Sequence, residues 1–484
     1  MEKISKRVFF YIILAVFLSG IWLVFSTSTS PLFPNTYGYD SAYYRYIGSS
    51  ILEGKVPYRD IWDHKGPVLY FIQALGALHG TRNGKISLIF PMQILSMLLS
   101  IFFLEQIDRK ATRSRFRLTR LFFLVISALS VFCSYTLEEG GNLTEEWSFP
   151  MVCCSLYLFM KYGSFAEAEP RHPRRYAFIH GICFALVAFI RLNNAVSICA
   201  GLLIIGIYLI IKRQWKNILE NILTGLLGIA VVAVPVFAYF YVNNALEDMI
   251  YAVFLFNLNY AKLISGPSFF EIRPLAQFLP IFASFVLFIL HFIKYRKFRL
   301  TDAIALAIAA ANAILLYRIH MFWHYFQIYI PVFLLFLILY AGIPDRLALL
   351  TAAAVSVFFI RDAVQIGIMN LQNKQTPLFD EAVRNIPKSE RDSVIAINIT
   401  PEIYLNTGII PCSRFAAIQL NILPIKPDYE KEFISDLQEK NPKWVIMRCN
   451  NDGLIPYLDE PIELRYENRF NASAYCFYRQ KDAE

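Results

Sequence analysis

Long apolar runs separated by short polar segments recur from Val8 to Met369, and beyond Asn370 the chain turns to the mixed composition of a water-soluble unit. A helix needs about 20 residues to cross the ~30 Å hydrocarbon layer. Runs that meet or approach this length lie at 8–26, 86–104, 121–135, 148–160, 177–190, 195–211, 218–242, 275–293, 302–316, 324–341 and 347–368. The shorter ones must borrow flanking residues. A further apolar stretch, 67–80, is short for a crossing and follows Gly66–Pro67. In the tail, strand-like alternation at 393–399, 443–448 and 473–479 brackets a helical pattern at 429–440, which predicts a small α/β unit.

Charge sets the topology. If 67–80 spans, Arg109, Lys110, Arg113, Arg115, Arg117 and Arg120 face outward; if it is interfacial or re-entrant, all six face the cytoplasm. The second choice also places Lys161 with Arg171, Arg174 and Arg175, the group Lys212, Arg213 and Lys216, and the group Lys294, Arg296, Lys297 and Arg299 inside, as the positive-inside rule requires. The expected architecture is an all-α polytopic membrane domain of about eleven spans over 1–369, with a small extracytoplasmic α/β domain over 370–484. The basic flank Lys3, Lys6 and Arg7 puts the N-terminus in the cytoplasm. The first apolar run exceeds the roughly 7–15 residues of a signal-peptide core and is read as an uncleaved helix.

Composition agrees: 56% of residues are hydrophobic and only 17% charged, against about 25% charged in soluble domains. The net charge of +9 sits in short clusters between apolar runs, so it indicates membrane topology and no nucleic-acid partner. None of the eight cysteines forms a CxxC or zinc-like spacing. A disulfide among Cys412, Cys449 and Cys476 is left open.

Polar chemistry collects in the outer segments 27–85, 136–147, 243–274 and 318–323. In the first, Asp40 follows the first helix among Tyr37, Tyr39, Tyr43 and Tyr44. A helical pattern at 41–53, with Tyr44, Ile47, Ile51 and Leu52 on one face, suits the interface plane. Pro57 ends it before Tyr58, Arg59, Asp60, Asp63, His64 and Lys65. Cations of this kind can hold a phosphate leaving group, and a carboxylate can activate a hydroxyl. Read blandly, Arg45, Lys55 and Asp60 are loop charges that keep the segment wet.

These residues carry a resemblance. An acidic residue soon after the first helix (Asp40-Ser-Ala-Tyr-Tyr), then Asp63-His-Lys-Gly-Pro-Val-Leu-Tyr opening an apolar helix, resembles GT-C membrane glycosyltransferases. The nearest branch is that of the protein O-mannosyltransferases, the aminoarabinose transferase of lipid A and RgtA/B/C/D-like transferases. Weaker echoes are Gly140-Gly-Asn-Leu-Thr-Glu145, His324-Tyr-Phe with Pro331, and Thr407-Gly with Ser413-Arg-Phe. Ser41 stands where many relatives have a second acidic residue, and Gly66 where they have proline.

The resemblance implies inverting transfer of a sugar from a polyprenyl-phosphate donor to a hydroxyl of a glycan, lipid or protein acceptor, at the outer face of the plasma membrane. It makes Asp40 the general base and assigns the donor phosphate to Lys65 with His64, Arg318 and His324. Glu139, Glu145 and Asp63 are candidates for positioning the acceptor or a divalent cation; no other cofactor is implied. For the 136–147 loop the competing reading is a hairpin at Gly140–Gly141 with Thr144 capping the next helix. Arg318 and His324 equally suit snorkelling and an aromatic belt. The 191–194 turn carries no functional expectation. A lipid or polysaccharide transporter or flippase is the alternative function, but such proteins place ionisable groups at mid-membrane and often show inverted repeats, and neither pattern is visible.

Overall fold

The computed structural model describes residues 2–33, 38–78, 88–111, 132–133, 139–263, 277–319, 322–340, 357, 360–361, 363–372, 379, 383–416, 425–449, 466–472 and 474–481. Most of the expected spans at 121–135 and 347–368, and His320, lie outside them.

In chain order the helices are α1 (Glu2–Phe25), α2 (Tyr39–Leu52), α3 (Pro67–Ala77), α4 (Ile89–Ala111), α5 (Thr144–Gly163) and α6 (Arg174–Ala188). They continue with α7 (Val196–Ile211), α8 (Trp215–Val242), α9 (Leu246–Ile250), α10 (Phe256–Leu263), α11 (Leu279–Tyr295), α12 (Leu300–Ile319) and α13 (Ile330–Tyr340). The tail adds α14 (Ile403–Asn406) and α15 (Pro427–Glu439), with strands β1 (Val394–Ile397), β2 (Trp444–Arg448), β3 (Tyr466–Ala472) and β4 (Tyr475–Gln480). Mutual contacts divide the chain into two units.

The first unit comprises Met1–Ser26, Phe90–Tyr239 and Ile264–Gln372. Among the described residues, six helices are long and apolar enough to cross a membrane: Val8–Phe25, Ile89–Arg109, Leu192–Ile211, Trp215–Val242, Leu300–Ile319 and Trp323–Tyr340. The last of these is buried along most of its length, as expected of a helix that is apolar all round. By contrast α8 leaves Leu219, Leu223, Leu227, Val231 and Val234 exposed. Such an unbroken apolar face is stable against lipid, not against water. Close helix contact uses small residues: a Cβ on Gly181 would lie 2.1 Å from the Gly225 carbonyl oxygen on α8. The α7–α12 contact adds a hydrogen bond from Asn312 Nδ2 to Ser197 Oγ, 2.9 Å.

The second unit comprises Thr27–Ile89, Phe240–Leu263 and Asn373–Glu484. It thus joins Thr27–Ile89 and Phe240–Leu263 to the tail. Helix α3 starts at Pro67 with Gly66 as its N-cap, as the sequence indicated. At 11 residues it is about 16 Å long, roughly half a bilayer crossing. Helix α2 packs on it, and its Tyr44 and Ile47 are buried. The approach requires glycine at position 48, because a Cβ there would meet Gln73 Cβ at 2.5 Å and Ala74 N at 2.7 Å.

The tail forms a four-stranded sheet in the order β1-β2-β4-β3. β1 and β2 are parallel, and the other pairs antiparallel. Three strands and α15 fall where the sequence places them. β3, reading YENRFNA, was not expected: it lies at the sheet edge, where polar side chains are tolerated and the period-2 signal is weak. A core of Ile395, Ile397, Val445, Met447, Phe433 and Tyr429 also takes in Trp62 and Phe256. A disulfide joins Cys449 to Cys476, resolving the open pairing.

Candidate functional site

The stretch from Val56 to Lys65 is held from three sides within the second unit. Asp60 accepts a hydrogen bond from the Val56 N–H, 2.7 Å, and the Arg59 guanidinium holds the Asp60 carboxyl below its ordinary range. Tyr58 has a left-handed φ of 70°, a strained conformation for a bulky residue. Its N–H donates to the Ile61 carbonyl at 2.7 Å and its hydroxyl to the Lys65 carbonyl at 2.7 Å. From the tail, the Arg414 carbonyl accepts from the Trp62 N–H, 2.8 Å. Arg414 Nη1 donates to the Tyr58 carbonyl, 2.9 Å. From the third segment, Asn257 Nδ2 donates to the His64 carbonyl, 2.8 Å.

This scaffold presents a connected row of titratable groups. Asp63 is 6% exposed and accepts from the Tyr70 hydroxyl at 2.5 Å and from the His64 backbone N–H at 2.7 Å. Burial pushes its carboxyl above the ordinary range and the Asp40 charge adds to this, while Lys65, Tyr70 and the His64 N–H pull it back. Lys65 Nζ lies 3.2 Å from His64 Nε2. An ammonium can only donate, so Nε2 accepts, and a neutral His64 carries its proton on Nδ1. That nitrogen is 3.4 Å from Asp63 Oδ1. The imidazole lies among Trp62, Phe256 and Tyr260, with ring centroids 5.2–6.1 Å away. Asp40, in the first turn of α2, accepts from the Tyr44 hydroxyl at 2.8 Å. Asp40, Asp63, His64 and Lys65 therefore belong to one neighbourhood, with Lys65 partly open.

The other expected residues lie in the first unit. Glu145 is 2% exposed and pairs with Arg191 Nη1 at 2.7 Å; the guanidinium stacks 4.1 Å from the Tyr325 ring centroid. His324 is buried, its ring 4.6 Å from that of Tyr325. Arg191, for which the sequence carried no expectation, thus links Glu145 to the aromatic turn. Glu139 is half-buried beside Gly140, and Arg318 is exposed in the last turn of α12. The cap expected of Thr144 is not formed. Glu146, in the first turn, instead reaches back outside the helix, its Oε2 accepting from the Asn142 N–H at 3.1 Å. Thr144 is already inside the helix, where its hydroxyl donates to Glu145 Oε2, 2.9 Å. Among the described residues, no group of three or more His, Cys, Asp or Glu side chains is placed to hold a metal ion.

The fold has solved counterparts. ArnT from Cupriavidus metallidurans, in a crystal structure bound to undecaprenyl phosphate, matches with a TM-score of 0.63 at 14% identity, covering 97% of this chain and 97% of that one. The apo form of the same protein matches with a TM-score of 0.62 at 14% identity, covering 98% of each chain. The fold is GT-C-like: a helical membrane domain followed by a small α/β tail. The chain belongs to the family described as "Putative competence-induced protein Ccs4 N-terminal domain", whose model matches residues 2–349. No curated protein matches it.

Proposed function

We propose that this protein is an integral membrane glycosyltransferase that moves a sugar from a polyprenyl-phosphate-linked donor to a hydroxyl of a glycan, lipid or protein acceptor. The observation that carries the reading is the Asp40–Asp63–His64–Lys65 cluster, built into a chain whose fold matches ArnT along almost its whole length. Asp40 takes the proton of the acceptor hydroxyl as its oxygen attacks the anomeric carbon. The bond from that carbon to the donor phosphate oxygen breaks, and polyprenyl phosphate leaves with the electron pair, so the configuration inverts. Lys65, positioned by His64 and by the Tyr58 bond to its carbonyl, offsets the charge growing on the phosphate. Asp63 fixes the His64 backbone by accepting from its N–H and interacts electrostatically with Lys65. Arg318 and His324 remain candidates for the phosphate, and Glu139 and Glu145 for the acceptor.

Catalysis is assigned to the non-cytoplasmic face of the plasma membrane, with the N-terminus inside. The basic clusters between helices support this, as does the Cys449–Cys476 disulfide, since such bonds persist in oxidising compartments.

The test is to delete the gene and restore it as wild type or Asp40→Asn, then profile polyprenyl-phosphate lipids and surface glycans by mass spectrometry. A polyprenyl-phosphate sugar accumulates and one glycan loses that sugar, with rescue by wild type alone. Equal rescue by Asp40→Asn would remove Asp40 from the base role and favour a transporter.

A further inference from the structure

The first unit holds a cavity of about 340 Å³ between α6, α7 and α8, in the size range of small-ligand pockets. Its wall is mostly apolar, with Leu202 and Ile205 among the lining residues, but His172 and His180 also stand on it. His180 is fully buried and stacked on Phe159 at 4.3 Å between ring centroids. Neither of its ring nitrogens has a hydrogen-bond partner among the described residues.

The tautomer of His172 follows from its neighbour. Asn221 Nδ2 donates to the Asn217 and His172 carbonyls at 2.7 and 3.3 Å, so Asn221 Oδ1 is an acceptor. It lies 2.9 Å from His172 Nδ1, which must carry the hydrogen. Burial pushes His172 down to about 4, so the ring is neutral near pH 7. Its Nε2 is then a bare lone pair, likewise without a partner among the described residues.

The two ring centroids are 6.1 Å apart with an interplanar angle of 22°, so both imidazoles stand side by side on the same stretch of the wall. A phosphodiester has no hydrogen to give His172 Nε2, whereas an alcohol has. The α8 wall runs from Ile218 to Ile229, about 16 Å at 1.5 Å per residue, which is one leaflet of a ~30 Å hydrocarbon layer. Its lining residues Ile222 and Leu226 are 53% and 56% exposed, so the slot opens sideways on the lipid-facing surface.

We propose that this slot binds a membrane lipid whose headgroup is a free hydroxyl on long hydrocarbon, the hydroxyl donating to His172 Nε2 and bonding to His180. The test uses the full-length protein in nanodiscs with photoreactive, clickable probes: a diacylglycerol, a polyprenol, and a phosphatidylcholine bearing the same chains. One or both alcohols label peptides within 196–242 and distinguish the two sources, while the phosphatidylcholine does not. Gly206→Trp abolishes the labelling, because position 206 lines the slot and a Cβ there meets nothing within 4 Å. His180→Leu lowers it about fivefold, the worth of one hydrogen bond, and decides the matter if the tryptophan variant does not fold. Equal labelling by phosphatidylcholine, no labelling of this region, or labelling unchanged in His180→Leu would overturn the proposal.

Discussion

Replacing Arg414 by alanine tests whether the tail holds the candidate site in shape. The side chain donates to the Tyr58 carbonyl and makes hydrogen-bonded ion pairs with Glu432 at 2.6 Å and Asp248 at 3.4 Å. Both carboxylate side chains are more than a third exposed (39% and 36%), so water takes over much of their solvation when the cation goes. Those two pairs are worth ~0–1 kcal/mol each. The bond to the carbonyl is worth ~1.5–3 kcal/mol, for a total of about 1.5–5 kcal/mol. In a unit of roughly 200 residues that is a fall in Tm of about 3–20 °C. Tryptophan fluorescence during thermal unfolding in detergent reads this directly, since Trp62 and Trp444 lie in that unit. Because the Tyr58–Trp62 turn leads into Asp63–Lys65, a shift of about 1 Å there would lower kcat up to ~10²-fold. Arg414→Lys should restore only part of either loss, as an ammonium lacks the guanidinium fork. Unchanged Tm and kcat in Arg414→Ala would refute the idea that this arginine braces the site.

Other perturbations have clear signs. Asp63 has a raised carboxyl pKa, so folding favours its protonated form; its contribution to stability is complete below the unfolded value near 3.9 and is lost as pH rises through the folded value. Asp63→Asn, which cannot ionise, should therefore gain stability relative to wild type across that rise in thermal melts at stepped pH, and a gap independent of pH would contradict the raised pKa. Arg191→Ala should destabilise the first unit by about 3–5 kcal/mol, because it leaves the buried Glu145 charge unpaired; a Tm within error of wild type would contradict this. Gly48→Val forces α2 off α3 and should yield little folded protein by size exclusion, whereas Gly54→Ala, with open space but φ of +87°, should cost only about 1 kcal/mol. Cys449→Ser should cost about 2–4 kcal/mol, and insensitivity of wild-type melting to reductant would argue against the bond in the native protein.

Much of the site was legible in sequence because its parts are close together along the chain. Asp63, His64, Lys65 and Tyr70 lie within eight residues, and Gly66–Pro67 marks the start of α3 without any tertiary information. The Arg191–Glu145 pair, 46 positions apart, gave no such signal, and an arginine beside two asparagines in a tight turn looks the same whether or not it meets a carboxylate. The Thr144 cap misled for a local reason: in Asn142-Leu-Thr-Glu the hydroxyl and the carboxylates both suit a helix start, and only the backbone shows that Thr144 is already inside.

By itself the sequence determined that this is a membrane chain, where most of its helices run, and that an α/β unit closes it. Hydropathy and periodicity are properties of neighbouring residues, so they survive without knowledge of the fold. Only the tertiary structure decided that Trp62 shares a core with Ile395 and Val445, that Arg414 reaches Tyr58 across 356 positions, and that Cys449 pairs with Cys476 and leaves Cys412 free. Each is a contact between residues distant in the chain. Its free energy depends on which surfaces meet once the helices and sheet have packed, and no local pattern records that.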